Sequence, residues 1–83
     1  NRLITFTFDD AGAFPWGGEP ILMDGTRVGE LTSAGYSRKF GRAIAMGYAR
    51  SGHALSDEHL LAARYEVDVA GEIFKVTPHL ELR

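Results

Sequence analysis

Cysteine is absent from this chain, so neither a disulfide framework nor a thiolate zinc site can staple it. The absence fits a cytosolic setting, and a cytoplasmic location is the expectation it supports. A large excess of charge of one sign is missing too. A formal charge of -2 and a pI near 5.9 give no global pull toward nucleic acid or a membrane surface, so neither is an expected partner. No apolar run approaches the roughly 20 residues of a membrane-spanning helix. No G-x-G-x-x-G opens a helix, and no G-x-x-x-x-G-K-[S/T] loop is present to cradle a phosphate. The hydroxyl side chains lack a spaced His and acid partner, so no nucleophile is prepared for catalysis. Initiator methionine is missing as well. Asn1-Arg2 leads straight into a strand pattern, the expected layout of a piece cut from a longer polypeptide.

What the chain does contain is short strands and turns. Its 83 residues make one small domain, a size that buries little more than about 60% of the surface its unfolded chain exposes. Leu3 to Phe8 alternates, with Ile4, Phe6 and Phe8 on one face and Thr5 and Thr7 on the other, as in a half-buried strand. Asp9 to Gly18 is a loop by local chemistry, and its Phe14-Pro15-Trp16 element is unusual at a loop tip. In a self-contained monomer such aromatics are expected to fold back over the core. In a piece of a longer chain that outcome and docking on another domain stand level, which makes Phe14 and Trp16 the candidate interdomain contacts. Glu19 to Met23 and the segment from Thr26 flank Asp24-Gly25, the strongest short hairpin signal, suited to a type I' turn.

The central stretch runs from Arg27 to Ala49. Val28 to Tyr36 is strand-like and carries Gly29 and Gly35, which suggests bulges or bends. Ala43 to Ala49 puts Ile44, Met46 and Tyr48 on one face and Ala43, Ala45, Gly47 and Ala49 on the other. A face made only of small residues implies that backbone packs close against it. Between the strands, Ser37 to Arg42 is a short basic loop or single helical turn carrying Arg38, Lys39 and Arg42. Farther on, residues 50–54 read as a loop. Ser56 reads as an N-cap with Asp57 and Glu58 in the first turn, and Leu55 with Leu60 has the spacing of a hydrophobic staple. The helix should end near Ala63. Arg64 to Val69 alternates with Tyr65, Val67 and Val69 inward, Ala70-Gly71 turns, and Glu72 to Thr77 returns. Pro78 removes a ladder donor, so His79 to Arg83 is expected as an edge strand or a tail. A small all-β, Greek-key-type antiparallel barrel of about six strands with one short helix is the expected fold.

Three constellations are candidates for chemistry. Asp9-Asp10 are paired carboxylates, but adjacent acids at a strand end more often solvate a turn, and that bland reading prevails. His53, Asp57, Glu58 and His59 are the only metal-like grouping. Their spacing matches neither H-E-x-x-H nor H-x-x-E-H, and a helix start explains the two acids without an ion. Arg38, Lys39 and Arg42 are suited to an anionic ligand such as a folate glutamate tail, although a solvated basic loop is the commoner use of such residues. Tyr36, Arg38, Lys39 and Phe40 only faintly resemble an RNA-reading surface, which interleaves aromatic and basic residues on a sheet. No catalytic, cofactor-binding or metal-ligating residue is assigned.

The run V-G-E-L-T-S (Val28 to Ser33) followed by I-A-M-G-Y (Ile44 to Tyr48) resembles the signature of the C-terminal barrel domain of the glycine-cleavage T-protein, or aminomethyltransferase, family. Upstream, W-G-G-E-P-I-L-M-D-G-T-R-V-G is similar to the form found at the C-terminal end of dimethylglycine and sarcosine dehydrogenases. The likeness continues through G-Y-A and Y-E-V-D-V-A-G-E, so it covers nearly the whole chain. The positions that carry it are Gly18, Glu19, Gly25, Gly29, Thr32, Ser33, Gly47 and Tyr48. The resemblance implies a non-catalytic barrel that closes a folate-binding multidomain assembly in one-carbon metabolism. Its partners would be the preceding domains of the same polypeptide. Tetrahydrofolate, and FAD on the oxidoreductase branch, would be held by the parent, with no cofactor in the barrel itself. The family's acidic catalytic residue lies in earlier domains and matches no position here. The alternative is a free-standing interaction or ligand-binding barrel without enzyme activity. A third use of the architecture is a sulfonium demethylase or an RNA-modification factor.

Overall fold

The structure is a computed structural model and describes residues 2–50 and 56–80. Among the described residues, six strands and one helix follow in order: β1 (Arg2–Phe8), β2 (Pro20–Met23), β3 (Thr26–Ser37), β4 (Arg42–Ala49), α1 (Asp57–Ala62), β5 (Tyr65–Val69) and β6 (Glu72–His79). All pairings are antiparallel, and the sheet closes as β1-β4-β3-β2-β5-β6 with β6 returning to β1. Strands β2, β3 and β4 are hairpin-connected neighbours, and β1 lies beside β4 after a long connection. That order is a Greek key, so the expected fold class holds.

The core follows the alternation in the sequence. Ile4, Phe6 and Phe8 of β1 are fully buried, together with Ile21, Leu31, Tyr65 and Val67, and Val76 is buried beside them. The Phe6 and Tyr65 rings pack at 5.2 Å between centroids with a 58° tilt. Fully burying an aliphatic or aromatic side chain is worth about 1.5–3 kcal/mol, so this group carries most of the barrel's stability. The small face of β4 turns inward, as its residue sizes imply: Ala43, Ala45, Gly47 and Ala49 are buried and Met46 and Tyr48 are exposed. A Cβ on Gly47 would stand 2.7 Å from the Glu30 carbonyl oxygen and 3.2 Å from the Leu31 Cα. A Cβ on Gly29 would overlap the Tyr48 carbonyl oxygen outright. The close backbone inferred for this face is therefore β3.

Turns behave as their residues dictate. Asp24 and Gly25 have φ of 51° and 86°, and Ala70 and Gly71 have 53° and 92°, positive at both central positions as type I' turns require. Ser56 caps α1 by accepting from the His59 amide at 3.2 Å, and Leu60 is the helix residue that is buried. Leu55, the other half of the expected staple, lies outside the described residues.

Two local expectations need correction. Gly35 marks no bulge, since Gly35 pairs regularly with Ile44; the β3–β4 register slips instead at Thr32, between Leu31 and Ser33. A second slip on β3 passes over Val28, beside Gly29. Bulges sit where closure bends the strand, and that is a property of the whole barrel. Pro78 does not end the last strand either: β6 continues to His79 and pairs Pro78 with Phe6. The β5 ladder runs out at Tyr65–Val76, so beyond Val76 the strand has a partner on one side only, a setting that tolerates a missing donor.

Candidate functional site

The loop between β1 and β2 ends in two exposed aromatics. Trp16 is 89% exposed and Phe14 67%, so the fold-back expected of a self-contained monomer does not occur. This exposure coexists with a well-tied base. Glu19 is buried, at 9% exposure, and its carboxylate accepts from the Trp16 amide at 2.5 Å and the Gly17 amide at 2.7 Å. Backbone bonds continue the tie: the Gly18 amide donates to the Leu31 carbonyl at 2.7 Å, and the Leu31 amide to the Glu19 carbonyl at 2.9 Å. Gly17 and Gly18 take φ of 104° and 90°, which a side chain would resist. The loop therefore presents Trp16 from a fixed platform at the side of β3. Sequence reasoning missed the Glu19 clamp. An acidic residue two and three positions after otherwise unpaired loop amides is the signal that was available.

The basic turn holds its three cations differently. Arg42 bridges to the end of β1, with Nη1 donating to the Asp9 carbonyl at 3.2 Å and Nε to the Phe40 carbonyl at 3.3 Å. Lys39 Nζ lies 5.6 Å from the Phe40 ring centroid, and Arg38 is exposed. The Gly41 amide closes the turn on the Ser37 carbonyl at 2.8 Å. Arg42 is thus committed to tying two strand ends, and Arg38 and Lys39 are exposed.

Asp9 and Asp10 do turn work. Asp9 accepts from the Thr77 hydroxyl at 2.7 Å, and Asp10 accepts from the Gly12 amide at 2.8 Å. The metal-like grouping is only partly in view, because His53 lies outside the described residues. Asp57 pairs with Arg2 at 2.8 Å and His59 Nδ1 shares a 3.3 Å hydrogen bond with the Ser56 hydroxyl, and among the described residues no set of three metal-type ligands converges. No helix among them is long and apolar enough to cross a membrane.

One shallow, open depression of about 450 Å³ lies on the outer side of the β3–β4 hairpin, bordered by Thr5, Ser33, Ala34, Tyr36, Ile44 and Met46. It holds no cluster of titratable side chains, and the sequence offered no signal for it.

Residues 1–81 match the family of the glycine cleavage T-protein C-terminal barrel domain. The chain belongs to that family. Within it, the pyruvate dehydrogenase phosphatase regulatory subunit, mitochondrial, of Mus musculus is 32% identical over 90 residues, covering 95% of this chain and 10% of that protein. The chain therefore spans about a tenth of the length of this relative.

The eight positions on which the sequence resemblance rests fall at points of architecture. Gly25 completes the β2–β3 turn, and Gly29 and Gly47 allow β3 and β4 to touch. Gly18 and Glu19 fasten the loop to β3. Thr32, at the bulge, donates its hydroxyl to the Met46 carbonyl at 3.2 Å, and Ser33 pairs with Met46 beside it. Tyr48 stands half-exposed on the outer face between Leu3 and Glu30.

Proposed function

We propose that this chain is the non-catalytic C-terminal barrel of a folate-dependent one-carbon enzyme of the aminomethyltransferase or dimethylglycine and sarcosine dehydrogenase type. It closes a multidomain assembly, and tetrahydrofolate, with FAD on the dehydrogenase branch, is held by the preceding domains. The observation that carries this reading is the Trp16 loop: two aromatics held out, largely exposed, from a rigid base. Large exposed aromatics on a fixed platform suit an interface, because they bury much area at little entropic cost. Membership of the T-protein barrel family and the short span of the relative that the chain covers support a domain that works beside others. The cytoplasmic setting proposed here rests on the cysteine-free composition alone, and the relative's name carries a mitochondrial location.

A second reading is favoured by that relative, whose name is that of a regulatory subunit. On it, the barrel serves an assembly that has lost the one-carbon reaction and keeps only interaction. Calorimetry with tetrahydrofolate separates the two. The first reading expects no tight binding by the 83-residue chain and clear binding by the complete polypeptide that carries it. Tight binding by the isolated barrel overturns it, and a complete polypeptide that binds no folate transfers support to the regulatory reading.

A further inference from the structure

The barrel closes through only part of β3. Strand β2 covers β3 from Thr26 to Glu30, and the Glu19 and Gly18 backbone extends that cover to Leu31. From Thr32 to Ser37 the strand pairs with β4 on one side, and no described residue pairs with it on the other. The outward groups can be assigned by alternation. Leu31 exchanges its bonds with the Gly18–Glu19 backbone, away from β4. The extra residue at the Thr32 bulge then brings Ser33 to face Met46, so Ala34 and Tyr36 point their N–H and C=O groups away from β4. Thr32, Ser33, Gly35 and Tyr36 are exposed, so solvent reaches this edge.

Such an edge is ordinarily guarded, because a row of unpaired donors and acceptors is a template for another strand. Here, apart from the bulge at Thr32, the guards are missing. The segment T-S-A-G-Y-S has no lysine, no proline and no inward charge. Its two ends are chemically unlike. At the Leu31 end stands the Trp16 loop, tied to β3 by the Gly18 amide. At the Ser37 end lies the basic turn, with Arg38 exposed and Lys39 beside Phe40. The Asp9–Asp10 pair follows β1, beyond β4, where Arg42 reaches the Asp9 carbonyl, and the Asp9 carboxylate is engaged by Thr77.

We infer that the free edge of β3 from Thr32 to Ser37 is a β-augmentation site for an extended, acidic peptide segment of a partner protein. The segment lies alongside β3 over about 20 Å. It exchanges main-chain bonds with Ala34 and Tyr36, sets an acidic side chain against the Arg38 turn, and rests an apolar one toward Trp16. Main-chain pairing supplies affinity in this mode, and side chains at alternate positions supply selectivity. The basic turn favours an acidic partner over a second copy of this chain, whose own β3 edge is uncharged and would bring no acid to Arg38. This inference does not depend on the folate reading, and its test contains no folate.

The probe is a displayed library of random peptides of roughly ten residues, long enough to span the edge, selected against the 83-residue chain. Enriched peptides should combine β-branched residues with Asp or Glu. Binding should slow hydrogen exchange at the Ala34 and Tyr36 amides of the unaltered chain, read by NMR. Ala34→Pro removes one outward donor without touching the β4 ladder and should weaken binding roughly tenfold. Arg38→Glu, on the exposed turn, should weaken binding and flatten its dependence on salt. The inference is overturned if no peptide is enriched, or if bound peptides leave the Ala34 and Tyr36 amides exchanging as before. Enriched peptides without acids, indifferent to Arg38→Glu, also overturn it. So does a concentration-dependent dimer protected at the same amides, which would give the edge to a second copy.

Discussion

Replacing Gly47 with alanine tests the packing of the whole barrel with one methyl group. The added Cβ would lie 2.6 Å from Ile21 Cδ1, 2.7 Å from the Glu30 carbonyl oxygen and 3.2 Å from the Leu31 Cα. The first contact can be relieved by turning a side-chain end. The other two are backbone of β3, which is pinned by its ladder with β4 and by the Leu31 bonds to the Gly18–Glu19 segment. Overpacking of this kind costs about 1–3 kcal/mol, and the stiffer unfolded chain of an alanine variant returns about 0.4–1 kcal/mol. A net loss of about 1–2 kcal/mol in a domain of this length lowers Tm by roughly 4–16 °C. Gly35, on the adjoining strand, is the control: a Cβ there meets nothing within 4 Å, and its φ is not in the left-handed region. Gly35→Ala should therefore hold or raise Tm. Thermal melts followed by circular dichroism compare both with the parent, and Gly47→Val should melt lower still. If Gly47→Ala melts within the scatter of the parent, or the two alanine variants shift alike, β3 is not the rigid wall described here.

Two further outcomes are expected. Tyr65 is buried with a hydroxyl that has no hydrogen-bond partner among the described residues, and burial, assisted by the Asp24 charge, pushes its pKa above the ordinary tyrosine value. Tyr65→Phe should leave stability at neutral pH unchanged or raised by up to about 1 kcal/mol. In the parent, the unfolded chain releases this proton above about pH 10 while the folded chain keeps it, so stability falls as pH rises past that point; urea melts of Tyr65→Phe should lose that share of the alkaline decline. Trp16 is the chain's one tryptophan, so its emission in the isolated chain should be red and readily quenched, shifting blue in the complete polypeptide. Blue, quencher-resistant emission from the isolated chain would place the ring in its own core and remove the interface argument.

The strands were legible because one face of each meets the core. Ile4, Phe6 and Phe8, or Tyr65 and Val67, announce a buried face at a period of two, and each pair of type I' residues announces a turn. The small face of β4 was legible for the same reason, and even its neighbour could be inferred as backbone. What could not be read was anything set by closure. Gly35 looks as much like a bulge as Gly29 does, yet the slips fall at Thr32 and Val28, where the partner strand's length and tilt decide. Pro78 looks like a stop until β5 is known to begin at Tyr65, opposite Val76. The candidate site was legible only as residue types. Phe14 and Trp16 stood out as aromatics on a loop, but their exposure depends on Glu19, whose clamp joins groups that sequence spacing alone does not orient. The free edge of β3 is visible only as the difference between a twelve-residue strand and its four-residue neighbour.

That difference in length also ties the Trp16 loop to the edge. A long β3 beside a short β2 forces the chain entering β2 to leave the sheet midway along β3, and it leaves at Leu31, where Gly18 and Glu19 bond. The residues just before that exit, Trp16 and Gly17, have no strand to join, so their amides must find an acceptor or remain unpaired. Glu19 supplies the acceptor from within the same turn. With both amides held, the Trp16 side chain stands 89% exposed, while Leu31 and Ile21 are buried in the core. Exposure of the ring is thus a consequence of how β2 begins. A Glu19→Gln substitution keeps the size of the side chain and leaves one carbonyl oxygen in place of two acceptors. It frees one amide at the tip while the Gly18–Leu31 bonds persist. The platform should loosen there without the barrel following it, which distinguishes a loop shaped for presentation from one that the core requires.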